Sequence, residues 1–123
     1  MNQKSAAEIA DAAAELIRDL NYATRYGEQG STVVYPGDVY DTVANLATLS
    51  TRLPQTLIQL RVFLLSEYED GHLLSTNNTL GTDVSTANGG LYDAARAAHE
   101  LYEALNRAHN GLSPIAYQAP DNA

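Results

Sequence analysis

The residues best equipped for chemistry gather in one stretch, His99-Glu100-Leu101-Tyr102-Glu103. His99 and Glu103 are four residues apart, which on a helix places an imidazole and a carboxylate one turn apart on one face. Two such groups resemble a pair of metal ligands. The zinc-protease pattern needs a second histidine at the fifth position, where this chain has Glu103. A carboxylate-bridged di-metal bundle needs Glu-x-x-His on two helices plus two further glutamates facing inward, and no second motif of that kind occurs. A solvated surface pair is the simpler reading, so no metal and no cofactor are expected.

A wider pattern runs beside it. Tyr92, Ala95, His99, Tyr102, Asn106 and His109 recur at alternating steps of three and four, so aromatic and imidazole groups line one flank of a helix. Such side chains can cover the edge of a neighbouring helix and keep their polar tips in water. They can also form a Tyr-rich contact surface, which histidine would make pH-sensitive at about pH 6–7. Tyr92, His99, Tyr102, Asn106 and His109 are therefore the candidate partner-contact face.

Catalytic signatures are absent. Gly89-Gly90 lacks the lysine and the preceding strand of a phosphate-binding loop. No Gly-x-Ser-x-Gly nucleophile turn is present. With no acid, base and nucleophile converging at a recognisable spacing, no catalytic residue is expected and the chain reads as a non-enzyme.

Three amphipathic segments must position these groups. The first is predicted over residues 5–26: Ser5 with Glu8 three residues later has the capping-box spacing, and Ile9, Ala13, Leu16, Leu20 and Ala23 form an apolar stripe. Glu8, Asp11, Glu15 and Asp19 form an acidic stripe on another face, read as solvated or as a docking surface for a basic partner. Gly27 fits the residue after the helix end. Thr32-Val33-Val34-Tyr35 is too short to make a sheet alone and reads as an extended connector, or as a strand paired across a dimer.

The second helix is predicted over residues 38–69, with Asp38 as N-cap. Val39, Val43, Leu46, Ser50, Leu53, Leu57, Leu60 and Leu64 alternate steps of four and three. Pro54 in its middle removes a backbone donor and predicts a kink near residues 50–53. At about 1.5 Å per residue this helix would span roughly 48 Å, a length that favours hairpins and dimers. The third is predicted over residues 82–110, capped by Thr82 or Asp83. Its strict seam is Val84, Ala87, Leu91, Ala94, Ala98, Leu101, Leu105, Ala108 and Leu112. Gly89-Gly90 inside it implies either fraying before Leu91 or a close backbone neighbour. Residues 113–123 read as a flexible tail.

From Leu53 to Leu65 eight of thirteen residues are large and apolar, wrapping most of the way round the helix. Three amphipathic helices can enclose one core, but the all-round apolarity of residues 57–65 leaves Leu65, Ile58 or Phe63 facing out, so Leu57, Ile58, Val62, Phe63 and Leu65 are the expected homodimer interface.

Composition bounds the rest. At 123 residues a single domain over residues 1–112 is expected. A net charge of -8 with seven basic residues argues against nucleic acid as a partner. No apolar run reaches the roughly 20 residues needed to span a bilayer, so no membrane partner is expected. Residues 1–19 carry four acids and no apolar run, unlike a secretory signal, so a cytoplasmic location is expected. Absence of cysteine removes disulfides and thiol chemistry.

Two resemblances follow from particular residues. Tyr35-Pro36-Gly37-Asp38-Val39-Tyr40 and Leu53-Pro54-Gln55-Thr56-Leu57-Ile58-Gln59-Leu60 resemble small Ala- and Leu-rich helical proteins of actinobacteria, over about residues 35–110. That group has no established activity and transfers no functional residue. Tyr117-Gln118-Ala119-Pro120-Asp121 resembles the Tyr-x-x-x-Asp export signal of type VII secretion, which follows a helical hairpin; the accompanying Trp-x-Gly turn is missing and Pro120 departs from the pattern.

Together these observations predict an all-α, three-helix antiparallel bundle, a hairpin of the second and third helices plus the first, assembled as a homodimer. The leading function is a non-enzymatic protein–protein interaction module, a small adaptor or regulatory partner. A secretion-associated hairpin and an acidic nucleic-acid mimic are the alternatives.

Overall fold

The computed structural model describes residues 3–120 and is all-α. Its helices are α1 (Ala6–Ala23), α2 (Pro36–Glu69) and α3 (Leu80–Leu112). No strand occurs among the described residues, so Thr32-Tyr35 is a connector. No helix among them is long and apolar enough to cross a membrane. The chain divides into two compact units, residues 3–39 with 115–120, and Tyr40–Pro114.

In the first unit α1 starts as its sequence requires. Ser5 Oγ accepts the Glu8 amide at 3.1 Å, and Glu8 Oε1 accepts the Ser5 amide at 3.2 Å, a complete capping box. The helix ends at Ala23, about one turn short of the expected residue 26. Thr24 is the reason: its amide and its hydroxyl both donate to the Leu20 carbonyl, at 3.0 and 2.9 Å. The Ala23 carbonyl then accepts the Thr32 amide at 2.8 Å, so the connector folds back on the helix end. Gly27 therefore sits in the following turn, with φ +73°, rather than directly after the helix. No residue of α1 is buried.

Asp38 does not serve as the N-cap of α2. Pro36 takes the first helical position, where its fixed φ suits the helix and its missing N–H costs nothing. Asp38 lies two residues in and reaches back, accepting the Val34 and Tyr35 amides at 2.9 Å each. These bonds favour the charged carboxylate and hold its pKa below the ordinary 3.8, with Tyr35 the larger cause and Val34 the second. The ring of Tyr117, in the segment expected to be a flexible tail, meets Tyr35 edge-on at 5.1 Å. Asp121, the last residue of the export-like pattern, lies outside the described residues.

The second unit is an antiparallel hairpin. Tyr40 pairs with His109, Arg61 with Asn88, and Tyr68 reaches Gly81, so contacts fall along α3 as they rise along α2. Past Glu69 the hairpin turns through a Schellman arrangement. Gly71, at φ +74°, donates to Tyr68 and His72 donates to the Glu67 carbonyl. Across the turn, Asp83 accepts the hydroxyls of Ser75 and Thr79. Asp83 thus ties the loop to α3 from inside the helix, whose N-cap is Thr79 rather than Thr82 or Asp83. Pro54 lies within an uninterrupted α2. Gly89 and Gly90 likewise neither fray nor receive a neighbour: α3 runs through both, with nothing within 4 Å of where a Cβ would stand.

The hairpin closes on small residues. Only Ala47, Ser50, Val84 and Ala98 are buried among the described residues, with Ser50 wholly so. Ser50 cannot spread the helices, and its hydroxyl is satisfied by the Ala47 carbonyl at 2.6 Å.

Half of each predicted seam faces the partner helix. Val43, Ser50, Leu57 and Leu64 on α2, and Val84, Leu91, Ala98 and Leu105 on α3, are buried or half-buried as expected. Of the other seam positions Leu46, Ala94 and Leu112 are half-buried, but Val39, Leu53, Leu60, Ala87, Leu101 and Ala108 are exposed; Tyr40, Ala47, Pro54 and Arg61 on α2, and Asn88, Ala95, Tyr102 and His109 on α3, are covered in their stead. Each helix is thus turned by roughly 50° about its axis from the seam expectation, at about 100° per residue. Two helices alone make one line of contact, and here the polar and aromatic pairs occupy it.

Candidate functional site

The rotation gives the hairpin two unlike flanks. In an antiparallel pair, positions one step to the same side of the contact line on both helices emerge on one flank. The first flank carries the residues next to Arg61 and Tyr102; the second carries the displaced half of the seam.

On the first flank two concave sections lie side by side. One, of about 440 Å³, is lined by Pro54, Ile58 and Arg61 from α2 and by Tyr92, Ala95, Arg96, His99, Glu100 and Glu103 from α3. The other, of about 310 Å³, is lined by Ala44, Ala47, Thr48, Thr51, Tyr102, Asn106 and His109. All five residues of the candidate contact face therefore line this flank, Tyr92 and His99 in the larger section and Tyr102, Asn106 and His109 in the smaller.

These side chains are fixed by local pairs. The His109 ring stacks on Tyr40, with centroids 4.1 Å apart and planes 26° from parallel. His99 Nε2 lies 3.1 Å from Glu103 Oε1, both groups more than half exposed. Arg61 donates from Nε to Asn88 Oδ1 at 2.8 Å and sets its guanidinium over the Tyr92 ring, 5.3 Å from the centroid. Neither Arg61 nor Arg96 pairs with a carboxylate among the described residues. Among the described residues no group of three or more His, Asp and Glu side chains is placed so that it could hold a metal ion.

The second flank is apolar. Leu53 is 39% exposed, Leu60 47%, Phe63 65% and Leu101 46%. Leu46 and Ala94 are half-buried beside them, and Leu49, Ala97, Ala104 and Ala108 are exposed on the same flank. One wall is built of leucine and phenylalanine and the other mostly of alanine.

The residues expected as a dimer interface do not share a face. Leu57 and Leu65 are half-buried, and Leu57 faces α3. Ile58 lines the larger concave section, Phe63 falls on the side of the apolar flank, and Val62 is 62% exposed. Sequence reasoning missed Arg61 and Arg96, yet a signal existed: Arg61 is the one charged residue inside the apolar run Leu53–Leu65. The run that hid it also explains it, since its Nε finds Asn88 across the hairpin.

Comparison of this chain with protein-family models, with curated proteins and with solved structures gives no match.

Proposed function

We propose that this chain is a non-enzymatic helical interaction module that pairs with a second copy of itself through the apolar flank of the α2–α3 hairpin. The observation carrying this reading is the line Leu53, Leu60, Phe63 and Leu101, all exposed on that flank. Contiguous apolar surface of this kind marks contact sites on proteins in water. Each Å² removed from water contributes about 25 cal/mol. A leucine wall against an alanine wall is self-complementary: a two-fold axis sets the large residues of one copy over the small residues of the other. The partner interface thus differs from the Leu57-to-Leu65 set, keeping only Phe63 from it.

Light scattering at micromolar concentration tests the reading, with a mass of twice 13.2 kDa expected. A one-chain mass at all accessible concentrations overturns self-pairing.

A second reading, a hairpin associated with type VII secretion, is supported by the hairpin followed by Tyr117. Deleting residues 117–123 and assaying export in a host with such a system tests it; unchanged export removes it.

A further inference from the structure

The larger concave section combines features that a solvated surface does not require. It holds two guanidinium groups, Arg61 and Arg96, neither of them paired with a carboxylate among the described residues of a chain whose net charge is -8. Arg61 is half-buried and pre-oriented: Asn88 takes its Nε–H and the Tyr92 ring supports its plane. Its terminal nitrogens make no hydrogen bond among the described residues, so the fork that matches a carboxylate remains available. Its apolar lining is supplied by Pro54, Ile58 and Ala95. Glu100 and the His99-paired Glu103 also line it, one and two turns along α3 from Arg96.

The geometry points to a binding site for a small organic monoanion, its carboxylate held by Arg61 and Arg96 and its apolar body laid over Tyr92, Ile58 and Pro54. The volume, about 440 Å³, suits a molecule of that kind. Glu100 and Glu103 set the specificity, because a second negative charge placed further along α3 meets two carboxylates. The site lies on the flank opposite the one assigned to self-pairing, so it stands or falls separately from that reading.

The test uses the full chain and three probes followed by amide and arginine side-chain NMR: 4-phenylbutyrate, the uncharged 4-phenylbutan-1-ol, and 4-(3-carboxypropyl)benzoate with a second carboxylate at its far end. The expected result is saturable shifts at the Arg61 Nε–H, Tyr92 and Arg96 with the monoanion, and binding about tenfold weaker for the alcohol and the dianion. Arg96→Leu, at an exposed position that leaves the fold intact, should weaken the monoanion about tenfold. Arg61→Leu should abolish its binding, with circular dichroism checking that the variant folds. Absence of saturable shifts, equal binding of the alcohol, or an unchanged affinity in Arg96→Leu overturns the site. A dianion that binds as tightly as the monoanion overturns the role of Glu100 and Glu103.

Discussion

The two flanks of the hairpin are built from neighbouring positions of the same helices, yet they solve different problems. On one, Tyr40 stacks on His109 and Arg61 spans to Asn88 and Tyr92, so polar and aromatic groups find partners inside the hairpin. On the other, Leu53, Leu60 and Leu101 find none and stay wet. Directional interactions choose which stripe of each helix faces its neighbour. The apolar residues that this choice leaves outside the contact line remain exposed to water.

The largest test of this contrast is charge on the apolar flank. Leu60→Glu with Leu101→Glu should convert a dimer to a monomer by light scattering while leaving helicity by circular dichroism near that of the parent. A dimer that survives would mean that the flank is not the contact. Next in size is steric bulk at the waist. Ala98→Leu drives a large side chain into the buried Ala47–Ser50 approach and should cost about 1–3 kcal/mol in thermal or urea unfolding. Arg107→Leu, at an exposed position of α3 assigned to neither flank, should stay within about 0.5 kcal/mol of the parent. If the two variants behave alike, the contact line is misplaced.

A smaller effect belongs to the polar flank. Tyr40→Leu removes the ring stacked on His109 and should cost about 0.5–1.5 kcal/mol beyond the area lost. Its dimer mass should be unchanged, which separates this flank from the apolar one. The smallest lies outside the hairpin. Because Asp38 has its pKa depressed by the Tyr35 and Val34 amides, its stabilising contribution is present above the ordinary 3.8 and fades as pH falls through the lower folded value. An NMR titration should show the Val34 and Tyr35 amides shifting together below pH 3.8, while the amides of α3 do not follow.

Much of this fold is legible in the sequence. The steps of three and four from Val84 to Leu112 announce α3, and Ser5 with Glu8 announces the start of α1. Half the contact line, Val43 to Leu64 against Val84 to Leu105, is read correctly from the same steps. The other half is not, because apolarity marks what prefers to leave water and not what it meets. Ala87, Leu101 and Ala108 fit a seam, but one partner helix has no room for both sides of it. Local hydrogen bonding accounts for the remaining differences. Thr24 ends α1 through its own hydroxyl, and Pro36 begins α2 before Asp38 can cap it. The Tyr and His residues of the groove were visible as a stripe, whereas Arg61 became a site residue only once α3 brought Asn88 and Tyr92 across to it.

The buried residues among those described, Ala47, Ser50, Val84 and Ala98, are none of them larger than valine. With Leu57, Leu64, Leu91 and Leu105 only half-buried, unfolding a lone chain wets less apolar area than is usual for its length. Its heat capacity increment should fall below the about 12–15 cal/mol/K per residue usual for globular domains, giving a shallow stability curve with weak dependence on temperature. Whatever covers the Leu53–Leu60–Leu101 line supplies the missing increment, so calorimetry at rising protein concentration should show the melt sharpening and moving to higher temperature as copies associate.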